Sequence, residues 1–398
     1  MSKRTIVALP GDGIGKIVVE ESIRVLKAAG FEAEYVEGDI GWEFWRKEGN
    51  PLPDRTIQLI EKHKIGLFGA ITSKPKDAAF EELAPELQEK GLVYSSPIVG
   101  LRQHFGLDIC MRPCHTYKGN PLNFIRRGVG DTIEEPEVDV IIFRQNTEGL
   151  YGGVEWSNPS DLVYNALLTH PKFVKNFGSV PKEEISVSTR IFTKEGTERI
   201  LRASFEYARR YGYKSVTLCE KPNVIRETSG MMYKMAMEMQ KADFPEIELW
   251  NTNIDAQMMW LTKNPENYGV IVAGNMFGDI VSDGFAGLIG GLGFACSAQF
   301  NPDTGIGVFE PTHGSAPKYV GYDKSIVNPI AMIESACMML DFIEENDIST
   351  KIRKAVAEVI EEGKVRTYDM MKMPGRPEVI DKGAATTQDM TDAIIAKL

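Results

Sequence analysis

Apolar residues in this chain alternate between short continuous runs and longer segments in which they recur every three or four positions. The continuous runs predict buried strands, which near the N-terminus occur at residues 5–9 and 65–68, and a further strand is predicted at residues 34–37. The recurring pattern predicts amphipathic helices at residues 14–29 and 53–63. Because strand and helix alternate, we expect an α/β fold with parallel strand pairing.

The same two patterns continue to the end of the chain, without an internal repeat or a low-complexity tract. Two stretches differ from them: residues 70–94 are charged and helix-prone, which predicts a surface excursion, and residues 156–184 show no periodicity. Further strands are predicted at residues 138–144, 215–219 and 269–273. Further helices are predicted at residues 193–211, 224–241, 254–261, 329–345, 349–362 and 385–398.

The stretch at residues 270–293 contains two acids in an otherwise almost uncharged, glycine-rich segment. Asp279 and Asp283 are four residues apart, so a helix that begins after the turn at Gly274 would place both carboxylates on one face. Two such acids repel each other unless a cation lies between them, and oxygen ligands favour Mg²⁺ or Mn²⁺. The spacing fits equally a helix in which Asp279 caps the N-terminus and Asp283 faces water.

The composition is that of a globular protein with more than one domain. The chain has 398 residues, of which 43% are hydrophobic and 25% charged, and a typical domain has ~150 residues. A net charge of −11 argues against nucleic-acid or anionic-membrane partners. We see no signal peptide, and we expect no membrane span and a cytoplasmic location.

Five cysteines, an odd number, fit a reducing compartment better than a disulfide framework. Cys110 and Cys114 are four residues apart with His115 adjacent, but no second cysteine pair follows, which favours a structural role over a zinc site. We therefore take the acids of the central stretch as the candidate metal ligands.

Three arginines provide a second candidate site. Arg102, Arg112 and Arg144 lie in or beside apolar stretches of an acidic protein, which suggests that they converge on a polycarboxylate through bidentate contacts. Ion pairs between domains would give the same pattern, so both possibilities stay open. Lys221 ends a predicted strand, a position where α/β folds place ligands.

The loop Gly11-Asp12-Gly13-Ile14-Gly15 follows the first predicted strand and invites comparison with dinucleotide-binding loops. Its glycine spacing differs from that of the Rossmann fingerprint. We therefore interpret it as a tight turn between strand and helix, and we do not place a pyrophosphate there.

Taken together, these residues resemble the β-decarboxylating dehydrogenases, the family of isocitrate, isopropylmalate and homoisocitrate dehydrogenases, and most of all the isocitrate enzymes. The resemblance runs nearly from end to end, and the run Asn-Met-Phe-Gly-Asp-Ile-Val-Ser-Asp at residues 275–283 is highly specific to this family. The other markers are residues 11–15, Ser96, Arg102, Arg112, Arg144, Tyr151, residues 221–223, Asp255 and residues 313–319.

This resemblance implies an α/β fold that is not of the Rossmann type. A large domain would combine residues 1–106 and 290–398, and a small domain would comprise residues 107–289. A clasp at about residues 156–188 would hold a homodimer. Lys221 and Asp255 would then enter the active site of the neighbouring subunit.

The resemblance also implies a role for each site residue. Asp255, Asp279 and Asp283 would hold Mg²⁺ or Mn²⁺ against the C2 oxygen of a 2-hydroxy acid that bears a carboxylate on C3. Lys221 would remove the hydroxyl proton, and Tyr151 would protonate C3 after CO₂ leaves. The substrate would be bound by Ser96, Arg102, Arg112, Arg144, Tyr151 and Lys221. The cofactor would be bound by Thr72, His313, Gly314, Ser315, Ala316, Lys318, Tyr319, Asn328, Tyr368 and Lys372.

Within the family, the sequence favours isocitrate as the substrate. Bacterial isocitrate enzymes hold the third carboxylate with a serine and an asparagine; this chain keeps Ser96 but has Ile98 in place of the asparagine. Residues 108–113 and 143–156 resemble the isocitrate branch. The run at residues 95–99 is similar to that of some homoisocitrate enzymes, so homoisocitrate and 3-isopropylmalate stay open as alternatives.

The same comparison favours NADP as the cofactor. NAD-dependent members usually carry an aspartate after the His-Gly-Ser-Ala-Pro run, where this chain has Lys318 and Tyr319. Tyr368 and Lys372 match positions at which NADP-dependent isocitrate enzymes carry a tyrosine and a cation. Two lysines and two tyrosines complement a 2′-phosphate, although NAD stays open.

A function of another class must also be weighed. Some members of this family are non-catalytic, regulatory subunits of hetero-oligomers, and these have typically lost one or more catalytic groups. Every catalytic, substrate-binding and metal-binding group named above is present in this chain. The sequence therefore favours an enzyme over a regulatory subunit.

Overall fold

The computed structural model describes residues 4–398, and a ten-stranded sheet runs through its centre. Residues 1–3, the beginning of the predicted large domain, lie outside the described residues. In the described residues β5 pairs with β6 and β8 with β9 in two small separate sheets, and the other ten strands form the large sheet. The strands are β1 (Arg4–Gly11), β2 (Ala33–Glu37), β3 (Ile65–Ala70), β4 (Ile109–His115), β5 (Arg126–Arg127), β6 (Ile133–Glu134), β7 (Asp139–Gln145), β8 (Glu155–Ser157), β9 (Ser186–Ser188), β10 (Ser215–Glu220), β11 (Glu248–Asn253), β12 (Val270–Ala273), β13 (Cys296–Asn301) and β14 (Ile306–Pro311).

Helices connect these strands and cover the sheet. Most begin and end within a few residues of the predicted boundaries. They are α1 (Gly15–Ala28), α2 (Trp42–Glu48), α3 (Asp54–His63), α4 (Lys76–Glu81), α5 (Pro85–Gln88), α6 (Pro97–Phe105), α7 (Asp161–Leu168), α8 (Pro171–Phe177), α9 (Lys194–Tyr211), α10 (Thr228–Asp243), α11 (Ile254–Trp260), α12 (Asn275–Ile289), α13 (Ile330–Phe342), α14 (Asn346–Glu362) and α15 (Thr387–Ile395).

The sheet has the strand order β11-β10-β12-β7-β4-β13-β14-β3-β1-β2. The strands of each half pair in parallel, whereas β4 and β13 in the centre pair antiparallel with both of their neighbours. The predicted parallel pairing is therefore confirmed for the two halves and wrong for the centre. The hydrophobic pattern does not predict β4 or β13, because polar residues such as Arg112 and Gln299 interrupt their apolar runs.

Alternate residues of each strand supply two different cores, one on each face of the sheet. On β7, Ile142 packs with residues of α1, α12 and α13, whereas its neighbour Phe143 packs with residues of α9 and α10. Met232 and Met239 of the methionine-rich helix α10 are buried in the second of these cores. Burial of each large apolar side chain contributes about 1.5–3 kcal/mol to stability.

The two stretches that lack the regular strand and helix patterns, residues 70–94 and 156–184, both contain short helices. Residues 70–94 form α4 and α5 and pack Leu87 against Trp42 and Trp45, so this surface excursion has a small core of its own. Residues 156–184 contain α7 and α8, which lie between the antiparallel strands β8 and β9. Neither helix buries a residue, and Leu162 is 83% exposed. Because neither helix packs on a core, neither requires apolar residues at helical spacing, which explains the absence of periodicity in the sequence.

All five cysteines are buried and unpaired. Cys110 and Cys114 lie on the same face of β4, where the thiol of Cys110 is 3.4 Å from the hydroxyl of Ser297. Among residues 4–398, no helix is both long and apolar enough to cross a membrane.

Candidate active site

Arg112 on β4 and Arg144 on β7 lie on one face of the sheet, because these antiparallel strands pair Cys110 with Arg144. The helix α12 crosses the same face and presents Asp279 to both arginines. Arg112 Nη1 lies 3.1 Å from Asp279 Oδ1 and 3.3 Å from Asp283 Oδ1, and Arg144 Nη1 also donates to Asp279. The structure thus joins two predicted arginines to both acids of the central stretch.

The beginning of α12 decides between the two interpretations of Asp279. Gly274 occupies the N-cap position, and the side-chain oxygen of Asn275 accepts hydrogen bonds from Arg144 Nε at 2.9 Å and Nη2 at 2.8 Å. Asp279 lies in the second turn, so the interpretation in which it caps the helix is wrong. Gly278 permits this close approach, since a Cβ there would lie 2.7 Å from Arg144 Cβ.

Burial shifts the pKa values of two residues in this cluster. Burial lowers the pKa of Arg144 to about 10, with Arg112 nearby acting in the same direction, so Arg144 remains cationic at neutral pH. Partial burial raises the pKa of the Asp283 carboxyl against the attraction of Arg112. Asp283 is nevertheless 60% exposed, and Asp279 Oδ2 has no hydrogen bond within residues 4–398. Carboxylate oxygens therefore remain available to a cation.

Arg102 on α6 approaches this region from the other half of the sheet. Its Nε donates to Gln299 Oε1 at 2.5 Å, and its Nη2 lies 3.3 Å from Glu310 Oε1. Arg102 and Arg112 border one cavity of about 180 Å³, and the charge of Arg102 acts on the pKa of Arg144. Arg102 and Arg112 therefore border one cavity, and Arg144 is joined to Arg112 through their shared partner Asp279.

Ser96 and Ile98 lie at the beginning of α6. Ser96 occupies the N-cap position but its side chain makes no capping hydrogen bond, which leaves its hydroxyl available to a ligand. Ile98 is buried and lines the 180 Å³ cavity together with Phe68 and Ile71. The position that departs from the bacterial isocitrate enzymes therefore forms part of an apolar cavity wall.

Tyr151 lies in a short turn after β7, and the guanidinium carbon of Arg144 is 5.7 Å from the centre of its ring. With Arg102 and Asn275, it borders a second cavity of about 450 Å³. Burial, followed by the charge of Asp279, raises the pKa of the Tyr151 phenol. The phenol therefore carries its proton at neutral pH.

Lys221 follows β10, and its Nζ forms an ion pair with Asp255 at the beginning of α11. This hydrogen bond from Lys221 lowers the pKa of Asp255. Neither residue is bonded to Asp279 or Asp283. Within residues 4–398, no three histidine, cysteine, aspartate or glutamate side chains lie close enough together to hold a metal ion. One chain thus brings together only part of the predicted metal site.

The glycine loop after β1 supports the segment that is expected to bind the cofactor. The N–H of Ile14 donates to Ser315 O at 2.9 Å, and the N–H of Asp12 donates to Ala70 O at 2.8 Å. The Asp12 carboxylate accepts the N–H of Thr72 at 2.8 Å, and the Thr72 hydroxyl lies 2.6 Å from the Ser315 hydroxyl. The turn therefore holds Thr72 against Ser315, two predicted cofactor residues.

His313 has a ring nitrogen without a partner. Its Nδ1 lies 3.1 Å from Gly314 O, whereas its Nε2 and the hydroxyl of Thr312 are buried without a hydrogen bond in the part of the chain described. Both residues border the 180 Å³ cavity. Burial lowers the pKa of His313, so the ring is neutral at pH 7 and offers a polar atom to a ligand.

Four of the predicted cofactor residues are two tyrosines and two lysines that lie near them in the chain. The hydroxyls of Tyr319 and Tyr368 are 3.2 Å apart, and Lys318 Nζ lies 4.7 Å from the centre of the Tyr319 ring. Lys372 lies four residues after Tyr368, in a turn, and has a positive φ of 56°. Two cations therefore lie close in the chain to this pair of phenols.

Ala316 and Asn328 are fixed by local geometry. Ala316 has a φ of 39° and precedes the turn Pro317–Tyr319. Asn328 donates to Asp369 Oδ2 at 3.1 Å and accepts the N–H of Ile330 at 3.0 Å, which holds it at the beginning of α13.

The sequence reasoning missed Gln299 and Glu310 as site residues. Both side chains contact Arg102, and both lie on the same face of the sheet as Arg112. Gln299 could have been predicted from its place between Ala298 and Phe300 in an apolar run. A buried amide needs hydrogen-bond partners, so a polar residue at such a position indicates polar neighbours.

Comparison with known proteins identifies the family of this chain. The profile of the isocitrate/isopropylmalate dehydrogenase family matches residues 5–394. Protein DlpA of Legionella pneumophila is 39% identical over 98% of this chain, which spans 58% of DlpA. Homoisocitrate dehydrogenase of Methanocaldococcus jannaschii is 36% identical over 88% of each chain.

A solved structure gives the same answer for the fold. Isocitrate dehydrogenase from Methylococcus capsulatus superposes with a TM-score of 0.80 and 34% sequence identity, covering 99% of each chain. The family resemblance and the predicted α/β fold, which is not of the Rossmann type, are thereby confirmed. Members of the family are oxidoreductases that use NAD or NADP together with a divalent metal. The chain belongs to the isocitrate/isopropylmalate dehydrogenase family.

Proposed function

We propose that this protein converts isocitrate to 2-oxoglutarate and CO₂ with reduction of NADP, as a homodimer in the cytoplasm. The observation that carries the proposal is the convergence of Arg102, Arg112 and Arg144 on one site that also contains Asp279 and Asp283. Buried guanidinium groups bind carboxylates bidentately. The arginines support a polycarboxylate substrate, and the choice of isocitrate rests in addition on Ser96 and the isocitrate-like segments of the sequence.

The acids of the site fit a hard divalent cation. All the candidate ligands are carboxylates, and Asp279 Oδ2 is free of hydrogen bonds within residues 4–398. Asp283 is open to solvent, and Asp255 would come from the second subunit. When bound, Mg²⁺ or Mn²⁺ supplies Lewis-acid polarisation of the substrate's C2 oxygen.

Two side chains move protons in the proposed reaction. In its neutral form, Lys221 would accept the proton of the C2 hydroxyl, directly or through water, and a bound NADP would supply the hydride acceptor. The C3 carboxylate leaves as CO₂, and Tyr151 donates a proton to C3. The raised pKa of Tyr151 keeps its phenol protonated at neutral pH, so that it can act as the acid. Hydride transfer needs water excluded, so we expect the domains to close.

A homodimer accounts for two features of the single chain. Lys221 and Asp255 are bonded to each other and not to Asp279, and α7 and α8 leave Leu162 and Phe177 exposed. Burial of such residues against a second copy would form the clasp at about residues 156–188. We divide the subunit into a large domain of residues 1–106 and 290–398 and a small domain of residues 107–289.

NADP is favoured over NAD by local charge. Lys318 lies over the Tyr319 ring, and Lys372 follows Tyr368, so cations and phenols are available to a 2′-phosphate. The carboxylate of Asp369 adds a negative charge near these cations, but one of its oxygens accepts a hydrogen bond from the Asn328 side chain.

One observation favours a second candidate substrate. The cavity beside Arg102 has an apolar wall formed by Phe68, Ile71 and Ile98. An apolar wall offers no hydrogen bond to a carboxylate that lies against it. It can accept the isopropyl group of 3-isopropylmalate or the additional methylene group of homoisocitrate, whose third carboxylate would extend further.

The test is reduction of NADP and NAD by the purified protein with Mg²⁺ and each of isocitrate, homoisocitrate and 3-isopropylmalate. We expect the highest kcat/KM for isocitrate with NADP. The substitution Ile98→Asn should shift the ratio of kcat/KM values towards isocitrate by about tenfold, whereas Ile98→Val, which keeps the wall apolar, should leave that ratio unchanged. A preference for another substrate would favour the second candidate, and inactivity with all three would indicate a regulatory subunit.

A further inference from the structure

We propose that Gln299 is a positioning residue, which holds the guanidinium group of Arg102 in the orientation that receives a substrate carboxylate. This inference rests on the proposed function. It deepens that function by identifying what fixes one of the three substrate arginines.

Gln299 is fully buried in the middle of β13, one of the two antiparallel strands at the centre of the sheet. Its Oε1 accepts hydrogen bonds from Arg102 Nε at 2.5 Å and from Asn146 Nδ2 at 2.9 Å. Its Nε2 donates to Glu310. Both the oxygen and the nitrogen of the Gln299 amide are therefore hydrogen-bonded.

The chemistry of the site selects an amide at this position. One side chain must accept from the Arg102 cation and donate to the Glu310 carboxylate. Glutamine does both, whereas a glutamate would face Glu310 with a second negative charge and a leucine could bond to neither. Glu310 is buried like Gln299, so little water reaches this contact, and this burial raises the pKa of the Glu310 carboxyl.

The orientation of Arg102 follows from these bonds. A guanidinium group is planar, so fixing Nε and Nη2 fixes the direction of every remaining N–H. Nη1 has no hydrogen bond within residues 4–398, and Arg102 borders both the 180 Å³ cavity and the 450 Å³ cavity. Its unoccupied edge is therefore the one available to a ligand.

Asn146 extends this arrangement to a second arginine. It follows β7, two residues after Arg144, and donates to the same oxygen of Gln299 as Arg102 does. Gln299 therefore connects Arg102 to the chain segment that directly follows Arg144.

The test is a double-mutant cycle with Gln299→Leu and Arg102→Lys, measured as KM for the preferred substrate. We expect Gln299→Leu to raise that KM about tenfold, the loss of roughly one well-made hydrogen bond to a charged group, while KM for the cofactor changes less than twofold. In the Arg102→Lys background, Gln299→Leu should have no further effect on substrate KM. Ser297→Ala, a buried polar change on the same strand and face without contact to Arg102, should leave KM near that of the wild type.

Equal effects of Gln299→Leu in both backgrounds, or a lower melting temperature with unchanged KM, would overturn the proposal. A second measurement needs no turnover: hydrogen exchange of the Arg102 Nε–H in ¹⁵N-arginine-labelled protein, with the signal assigned through Arg102→Lys. We expect slow exchange in the wild type and in Ser297→Ala, and fast exchange in Gln299→Leu. Fast exchange in the wild type would reject the role of Gln299, whereas inactivity with every substrate would reject the proposed function alone.

Discussion

Gly13 lies so close to Ser315 that a Cβ on Gly13 would be 2.0 Å from the Ser315 carbonyl oxygen. The next N–H, that of Ile14, donates to the same oxygen at 2.9 Å. The two residues are far apart in the chain, yet this contact joins the first turn to the segment that contains His313. The backbone of the glycine loop therefore contacts the segment that we propose binds the cofactor.

Gly13→Ala should weaken cofactor binding. The added methyl group must displace Ser315, and Gly13 has a φ of +60°, which an alanine adopts only with strain. We expect KM for NADP to rise at least about tenfold, equivalent to about 1.4 kcal/mol, with a smaller change in KM for the substrate. Steady-state kinetics with each ligand varied in turn would measure both.

Gly212→Ala is the matched control for this change. Gly212 also has a positive φ, +77°, but a Cβ there has no atom within 4 Å. It should lower stability by about 1 kcal/mol and leave KM for NADP unchanged. Similar KM values in the two variants would show that backbone strain alone, and not the contact with Ser315, alters binding.

Lys318→Asp should reverse the charge presented to the 2′-phosphate. We expect KM for NADP to rise far more than KM for NAD, by about a hundredfold if one close charge-assisted contact becomes a repulsion. Lys351→Asp makes the same change in net charge on α14 and should alter neither KM. Equal increases for NADP and NAD in Lys318→Asp would reject the assignment of the 2′-phosphate to this lysine.

Several strands follow from the sequence because β1, β3, β7 and β12 are continuous apolar runs, whereas the edge strand β11 and the strand β14 are not predicted. The centre of the sheet does not, since β4 and β13 carry Arg112 and Gln299 towards the site in place of apolar residues. The central acids and the arginines could be found from residue type and spacing. Their pairing could not, because the antiparallel register that puts Arg144 beside Cys110 is a long-range property of the sheet.

Mixed dimers should recover activity if the site is shared between subunits. Tyr151→Phe and Lys221→Met should each inactivate the homodimer. When the two variants exchange subunits, one site of each mixed dimer would combine an intact Tyr151 with an intact Lys221 from the other chain. Random exchange makes half of the dimers mixed, so we expect about a quarter of wild-type activity.

The control for this experiment is each variant mixed with itself under the same exchange conditions, which should stay inactive. If Tyr151 and Lys221 of the same chain served one site, every site in the mixed dimer would carry one defect. Absence of recovered activity, with exchange verified by differently tagged chains, would therefore reject the shared site.

His313 should make the stability of the cofactor-free protein depend on pH. Burial lowers the pKa of this histidine in the folded protein, whereas in the unfolded chain it titrates near its ordinary value of ~6.5. Between these two pKa values the unfolded state binds more protons than the folded state. Stability is therefore fully present above about pH 6.5 and is lost as the pH falls towards the lowered pKa, by no more than about 1.4 kcal/mol per pH unit.

His313→Gln removes this titration and keeps a polar side chain, so its urea-unfolding free energy should fall less than that of the wild type between about pH 7.5 and about pH 5.5. The difference between the two proteins at the higher pH measures the structural cost of the substitution, because both side chains are then neutral. Only the additional difference that develops at lower pH reports the proton linkage. Parallel pH profiles for the two proteins would mean that the ring gains its proton as easily in the folded chain as in the unfolded one, which its buried and unpartnered Nε2 argues against.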